Sequence, residues 1–90
     1  MTQVVEQIDV DQLLENVLEK QIIVYNDNVN TFDWVILSFM EVLEHTLHQA
    51  EQCAMIIHNR GKCSVKVGNQ DELKPYRDAL TERGINAKIE

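Results

Sequence analysis

The segment IVYNDNVNTFDWV, residues 23–35, changes character twice. It begins as a β-branched and aromatic run that is too short for a helix and belongs, as QIIVYN (residues 21–26), to a strand. It ends in an amphipathic helix: Thr31 is placed to accept from an N–H of the first turn, Asp33 complements the helix dipole, and Phe32, Val35, Ile36, Phe39, Met40 and Leu43 follow at helical spacing. Between the two lie Asn26, Asp27, Asn28 and Asn30. Asn and Asp suit turns because they satisfy their own backbone and tolerate unusual angles, but one or two suffice. Four provide more hydrogen-bonding capacity than the turn consumes, and the surplus points to a ligand.

Working outward, Thr46 with Gln49 three residues on is a capping signature for a second helix carrying Leu47, Ala50, Cys53, Ala54 and Ile57, closed by Gly61. The short connection makes the two helices a hairpin. KCSVKV (residues 62–67) alternates and reads as a second strand. A third helix starts either at Asn69, which has Glu72 as its capping partner, or near Lys74 with Pro75 in the first helical position. Leu73, Tyr76, Ala79 and Leu80 form its buried stripe, Gly84 ends it, and INAKIE (residues 85–90) supplies a last strand. The order β-α-α-β-α-β with three strands predicts an α+β fold: a single two-layer domain, a three-stranded sheet with helices packed on one face. Residues 1–20 carry Glu6, Asp9, Asp11, Glu15 and Glu19 against one Lys. They read as a flexible acidic N-terminal extension before the core at residues 21–90, with a latent helix in Val10, Leu13, Leu14, Val17 and Leu18.

A chain of 90 residues, 44% hydrophobic, supports one core and no deep interdomain cleft. Its formal charge of −7 repels nucleic acid phosphates and anionic lipid, so neither nucleic acid nor a membrane is an expected partner. No run approaches the length that spans a bilayer, no secretory leader pattern is visible, and two cysteines outside any C-x-x-C arrangement suggest no disulfide framework. A cytoplasmic, reduced setting is expected.

His45, His48, Cys53, His58 and Cys63 are crowded enough to raise metal binding. Residues five apart on a helix do not share a face, however, and only His45 and His48 have ligand spacing, at a helix junction expected to be in water. No nucleophile has a recognisable base and oxyanion site, and no Gly-rich phosphate loop is present, so neither enzyme activity nor a cofactor or metal is expected. Cys53 reads as a small core residue. His58, on the last turn of the second helix, has two readings. It either faces the helix carbonyls as a cap, or, in an antiparallel hairpin, lies beside Asn26, where imidazole and amide acceptors would converge on an ammonium group.

YNDNVNTFDWV (residues 25–35) and IIHNRGKCSV (residues 56–65) resemble the strand exit and the V-H-x-x-G-K segment of the ClpS family, adaptors that deliver proteins with bulky hydrophobic N-terminal residues to Clp AAA+ proteases. The resemblance runs from Gln21 to the end of the chain. It implies that Asn26 and His58 hydrogen-bond the substrate's α-amino group, with Asp27 at the motif's first acidic position and Asn28 where many members have a second Asp. It implies a side-chain pocket lined by Asn30, in place of a Thr, Phe32, in place of a Met, and Val35, Ile57 and Ile85. Ala54 stands where several members have a Met that excludes β-branched side chains. The implied partners are a Clp unfoldase of the ClpA or ClpC type, engaged through the N-terminal extension, and substrates beginning with Leu, Phe, Tyr or Trp; a monomer is expected. The segment from Lys66 to Gly84 is shorter than in many members, and the protease-facing residues of its helix do not align. The same element order also resembles the C-terminal domain of the ribosomal stalk protein, an interaction module that would have no need of Asn26 with His58.

Overall fold

A computed structural model describes residues 9–90. Seven elements follow one another: α1 (Val10–Val17), β1 (Lys20–Tyr25), α2 (Phe32–Leu43), α3 (Leu47–Arg60), β2 (Lys62–Gly68), α4 (Gln70–Glu82) and β3 (Ala87–Ile89). β1 is the middle strand, antiparallel to β2 on one side and to β3 on the other. Its position explains its composition, since Ile22, Ile23 and Val24 are all buried. Ile22 pairs with Lys66 and Ile23 with Ser64, so Val65 is the additional residue of a β-bulge. Its side chain is buried in the core.

The caps read from the sequence form. Thr31 Oγ1 accepts from Trp34 N at 3.1 Å, and Thr46 and Gln49 form a reciprocal capping box. Residues 44–46 join α2 to α3, with Glu44 in the left-handed region at φ 59°. This tight reversal lays α3 against α2 and returns its C-terminal end to the beginning of α2. Gly61, at φ 93°, then turns the chain directly into β2, a conformation that glycine adopts without a Cβ penalty.

Of the two starts considered for the third helix, the earlier one forms. Asn69 and Glu72 make a capping box, and Pro75 lies inside α4. Its missing N–H would have bonded the carbonyl of Asp71; both residues are exposed, so water can satisfy that oxygen and the two cap bonds outweigh the loss. The last strand is shorter than residues 85–90, because Ile85 N donates to Leu80 O and completes the end of α4. Backbone bonds at both flanks, Tyr25 N to Asn86 O and the reciprocal pair of Gln21 and Glu90, nevertheless keep the whole segment beside β1.

The core joins Ile22 and Val24 of β1, Phe39 and Leu43 of α2, Ala50 and Ile57 of α3, Val65 of β2, Leu73 and Leu80 of α4, and Ile85 and Ala87 at β3. α4 is fastened to α2 by polar contacts as well: Trp34 Nε1 donates to Arg83 O at 3.0 Å, and the Arg83 guanidinium pairs with Glu41 at 2.7 Å. The latent helix in the N-terminal segment is present as α1, capped by Asp9, which accepts from Asp11 N at 3.0 Å. Its apolar residues Val10, Leu13, Leu14, Val17 and Leu18 are all exposed. Glu6 and the rest of residues 1–8 lie outside the described residues.

His45 is not in water as expected. Its Nε2 lies 2.9 Å from Val65 O, and its ring meets Phe39 edge-on at 5.8 Å. The contact fixes the proton on Nε2, leaving a buried Nδ1 with no partner among the described residues. This histidine pins the α2–α3 junction to β2.

Candidate functional site

The exit of β1 and the end of α3 are brought together by a backbone bond, Asn26 N to Gly61 O at 2.8 Å. The link follows from the hairpin, which delivers the C-terminal turn of α3 to the point where β1 ends. It puts Asn26 beside His58, 32 positions later in the chain, at the mouth of a pocket of about 560 Å³. Both side chains are exposed, and neither makes a hydrogen bond among the described residues. His58 does not serve as the helix cap, because Gly61 N takes that role by donating to Ile57 O. The imidazole and the Asn26 amide therefore remain available to a ligand.

Asp27 is differently occupied. Its Oδ1 accepts from Val29 N and Asn30 N, both at 2.9 Å, and its Oδ2 accepts from Asn30 Nδ2 at 2.8 Å. The Asn30 amide also donates to Gly84 O at 2.8 Å. Asp27 and Asn30 thus fold the turn and tie it to the end of α4. The backbone N–H of Asn30, together with the other donors of the turn, holds the Asp27 carboxyl below the usual carboxylate range against the opposing effect of burial. Its negative charge persists beside the pocket although its oxygens are engaged. Asn28 is exposed at the same mouth and makes no such contacts among the described residues.

Below this polar mouth the walls are apolar. Phe32 and Val35 come from α2, and Ala54 and Ile57 from α3. Phe32 stays 41% exposed, so it forms a rim, whereas Ala54 and Ile57 are buried at 3% and 6% and form the floor. Ile85 lies deeper, with Val24, Val35 and Ile57 around a small recess of about 30 Å³ that also touches Asn26 and Asp27. Ile85, expected from the sequence to line the pocket, is not among its lining residues. Two further residues, Thr31 and Met55, complete the lining. Met55 could have been found from its position one turn before His58; Thr31 was accounted for by capping, which concealed its second position on the pocket.

The arrangement offers hydrogen-bond acceptors and one carboxylate charge at the entrance of an apolar cavity. Among the described residues no three His, Cys, Asp or Glu side chains converge as a metal-binding group. Cys53 and Cys63, from α3 and β2, are partly buried and packed against the core. Burial first, and then Cys63 beside it, push the Cys53 thiol up to about 12, which keeps it protonated and a poor nucleophile. No helix among the described residues is long and apolar enough to cross a membrane.

Comparisons with known proteins agree with this fold. Residues 16–88 match the family model of the ATP-dependent Clp protease adaptor protein ClpS. The ATP-dependent Clp protease adapter protein ClpS of Corynebacterium aurimucosum is 29% identical over 85 residues, covering 94% of this chain and 77% of the relative. Among solved structures, Agrobacterium tumefaciens ClpS2, bound to L-phenylalaninamide, superposes with a TM-score of 0.68 at 19% identity, covering 80% of this chain and 94% of that one.

Proposed function

The chain belongs to the ClpS family, the adaptor proteins of the ATP-dependent Clp protease, and from that membership we propose that it captures proteins through a bulky hydrophobic N-terminal residue. The observation that carries the reading is the pairing of two uncommitted polar side chains, Asn26 and His58, at the mouth of one apolar pocket. An α-ammonium group is a donor only, so the Asn26 carbonyl oxygen and a neutral His58 nitrogen accept from it while Asp27 supplies a favourable field. The side chain of the same residue enters between Phe32, Val35, Ala54 and Ile57. The volume of about 560 Å³ lies within the usual range of ligand pockets and accommodates Leu, Phe, Tyr or Trp.

Selectivity follows from needing both ends at once. An internal hydrophobic residue has no ammonium, a small first residue leaves the pocket unfilled, and a charged one would lose its hydration between apolar walls. The ligand of the Agrobacterium relative, a phenylalanine derivative, is of the same chemical kind. Capture involves no covalent step; the captured protein is handed to an AAA+ unfoldase of the ClpA or ClpC type in the cytoplasm, with residues 1–20 as the tether that engages it. The stalk-like interaction module would not require the Asn26 and His58 pairing.

The test is the affinity of a peptide with a free N-terminal Phe for the variants Asn26→Ala and His58→Ala. Each removes one hydrogen bond to a charged group, worth about 1.5–3 kcal/mol, or roughly ten- to a hundredfold in Kd. Both side chains are exposed, so the thermal midpoint should hold. Unchanged affinity in both folded variants overturns the amine site.

A further inference from the structure

A second groove of about 500 Å³ runs along the outer face of α3, lined by Phe32, His48, Glu51, Gln52, Met55 and Ile56. His48, Gln52 and Met55 succeed one another at helical spacing of four and three, so this is one continuous stripe of the helix beside the one that floors the pocket. Its apolar members are open to solvent: Phe32 is 41%, Met55 50% and Ile56 40% exposed. Two of the lining residues, Phe32 and Met55, also line the pocket. The groove therefore adjoins the site, with Phe32 and Met55 lining both.

We infer that this groove receives the third side chain of the captured protein and favours Lys or Arg there. The inference rests on the reading of the pocket as the seat of the first residue. A segment leaving that pocket in extended form points its first and third side chains toward the same surface, about 7 Å apart, and turns the second away. A repeat of that length steps across the shared wall of Phe32 and Met55. The choice of occupant follows from the lining. Met55, Ile56 and the Phe32 ring suit an aliphatic stem, and the Glu51 carboxylate suits a cationic head; no Lys or Arg lines the groove. Glu51 belongs to neither of the salt bridges found among the described residues, so its charge is uncommitted.

The experiment uses the full chain and free-amine peptides that differ only near the N-terminus: Phe-Ser-Lys, Phe-Ser-Ala, Phe-Ser-Glu and Phe-Lys-Ser, each on a common polar tail, with N-acetylated Phe-Ser-Ala as the reference for the first residue. The Lys peptide should bind about tenfold more tightly than the Ala peptide, from stem burial and the ion pair together, and the Glu peptide more weakly than either. Phe-Lys-Ser, which carries the same charge one residue earlier, should gain much less. Glu51→Gln should compress the Lys-to-Glu difference. Equal affinities across the third position, an equal gain from lysine in second place, or full discrimination in Glu51→Gln each overturn the groove assignment. If free-amine Phe-Ser-Ala binds no better than its acetylated form, the reading of the pocket falls and the groove assignment with it; if it does bind better but the third residue is silent, only the groove assignment falls.

Discussion

Replacing Asp27 with alanine tests whether the polar turn is built by that carboxylate. The substitution deletes acceptors for Val29 N and Asn30 N at 2.9 Å and for Asn30 Nδ2 at 2.8 Å. Hydrogen bonds to a charged group contribute about 1.5–3 kcal/mol each when water cannot replace them. Val29 is 87% exposed, so its freed N–H is rehydrated and contributes little. Asn30 is only partly exposed, and the deletion also loosens its bond to Gly84 O at 2.8 Å. A net loss of about 2 kcal/mol is expected, which in a domain of this size lowers Tm by roughly 8–16 °C. Asp27→Asn keeps one oxygen for the two backbone donors but turns an amide toward the Asn30 amide, and should fall between.

The pH dependence has a definite sign. The folded carboxyl lies below its ordinary value of 3.8, so its stabilisation is fully present above that value and is lost as pH falls through the lowered folded value. The Tm gap between the native chain and Asp27→Ala, read by circular dichroism, should be widest near neutrality and narrow in acid. A gap of the same size at pH 7 and in strong acid, or no gap at all, would refute the assignment of Asp27 to the turn.

Asn28→Asp should tighten binding of a free-amine Phe peptide at low salt, because it adds a carboxylate at the pocket mouth, and the gain should shrink as ionic strength rises; affinity that falls or stays constant, by fluorescence anisotropy, rejects the prediction. Deleting residues 1–15 should leave the core intact, since Val10, Leu13 and Leu14 are 65%, 44% and 46% exposed and none belongs to the core cluster. Peptide affinity should survive while delivery to the Clp protease is lost; a joint drop in Tm and affinity would mean that the segment is part of the folded domain.

The fold was legible because the local signals agree with one another. Thr31, Thr46 with Gln49, and Gly61 each mark a boundary through the backbone group they satisfy or the φ they permit, and each lies where expected. Pro75 could not settle the start of α4, since its penalty depends on whether water reaches Asp71 O, which is a matter of tertiary exposure. The extent of β3 was illegible for a similar reason: Ile85 N is claimed by Leu80 O, a choice made by the end of α4. At the site, the excess of Asn and Asp marked the turn for attention, but their division of labour was hidden. Only the folded turn shows that Asp27 and Asn30 hold it together while Asn26 stays free. His45 was misjudged because helix-junction residues are commonly exposed, and its bond to Val65 O exists only once β2 passes beneath the junction. The proximity of Cys53 and Cys63 likewise arises from the Gly61 reversal.

The most direct test of the account compares two peptides of one sequence beginning with Phe, one with a free N-terminus and one acetylated, titrated calorimetrically against the full chain at neutral pH. Acetylation leaves the aromatic side chain for the apolar walls but removes the ammonium that the account assigns to Asn26 and His58, both of which line the pocket. With two hydrogen bonds to a charged group at stake, the account predicts a loss of at least about a hundredfold in affinity. Equal binding of the two peptides would contradict it, leaving a hydrophobic pocket that does not recognise the end of a chain.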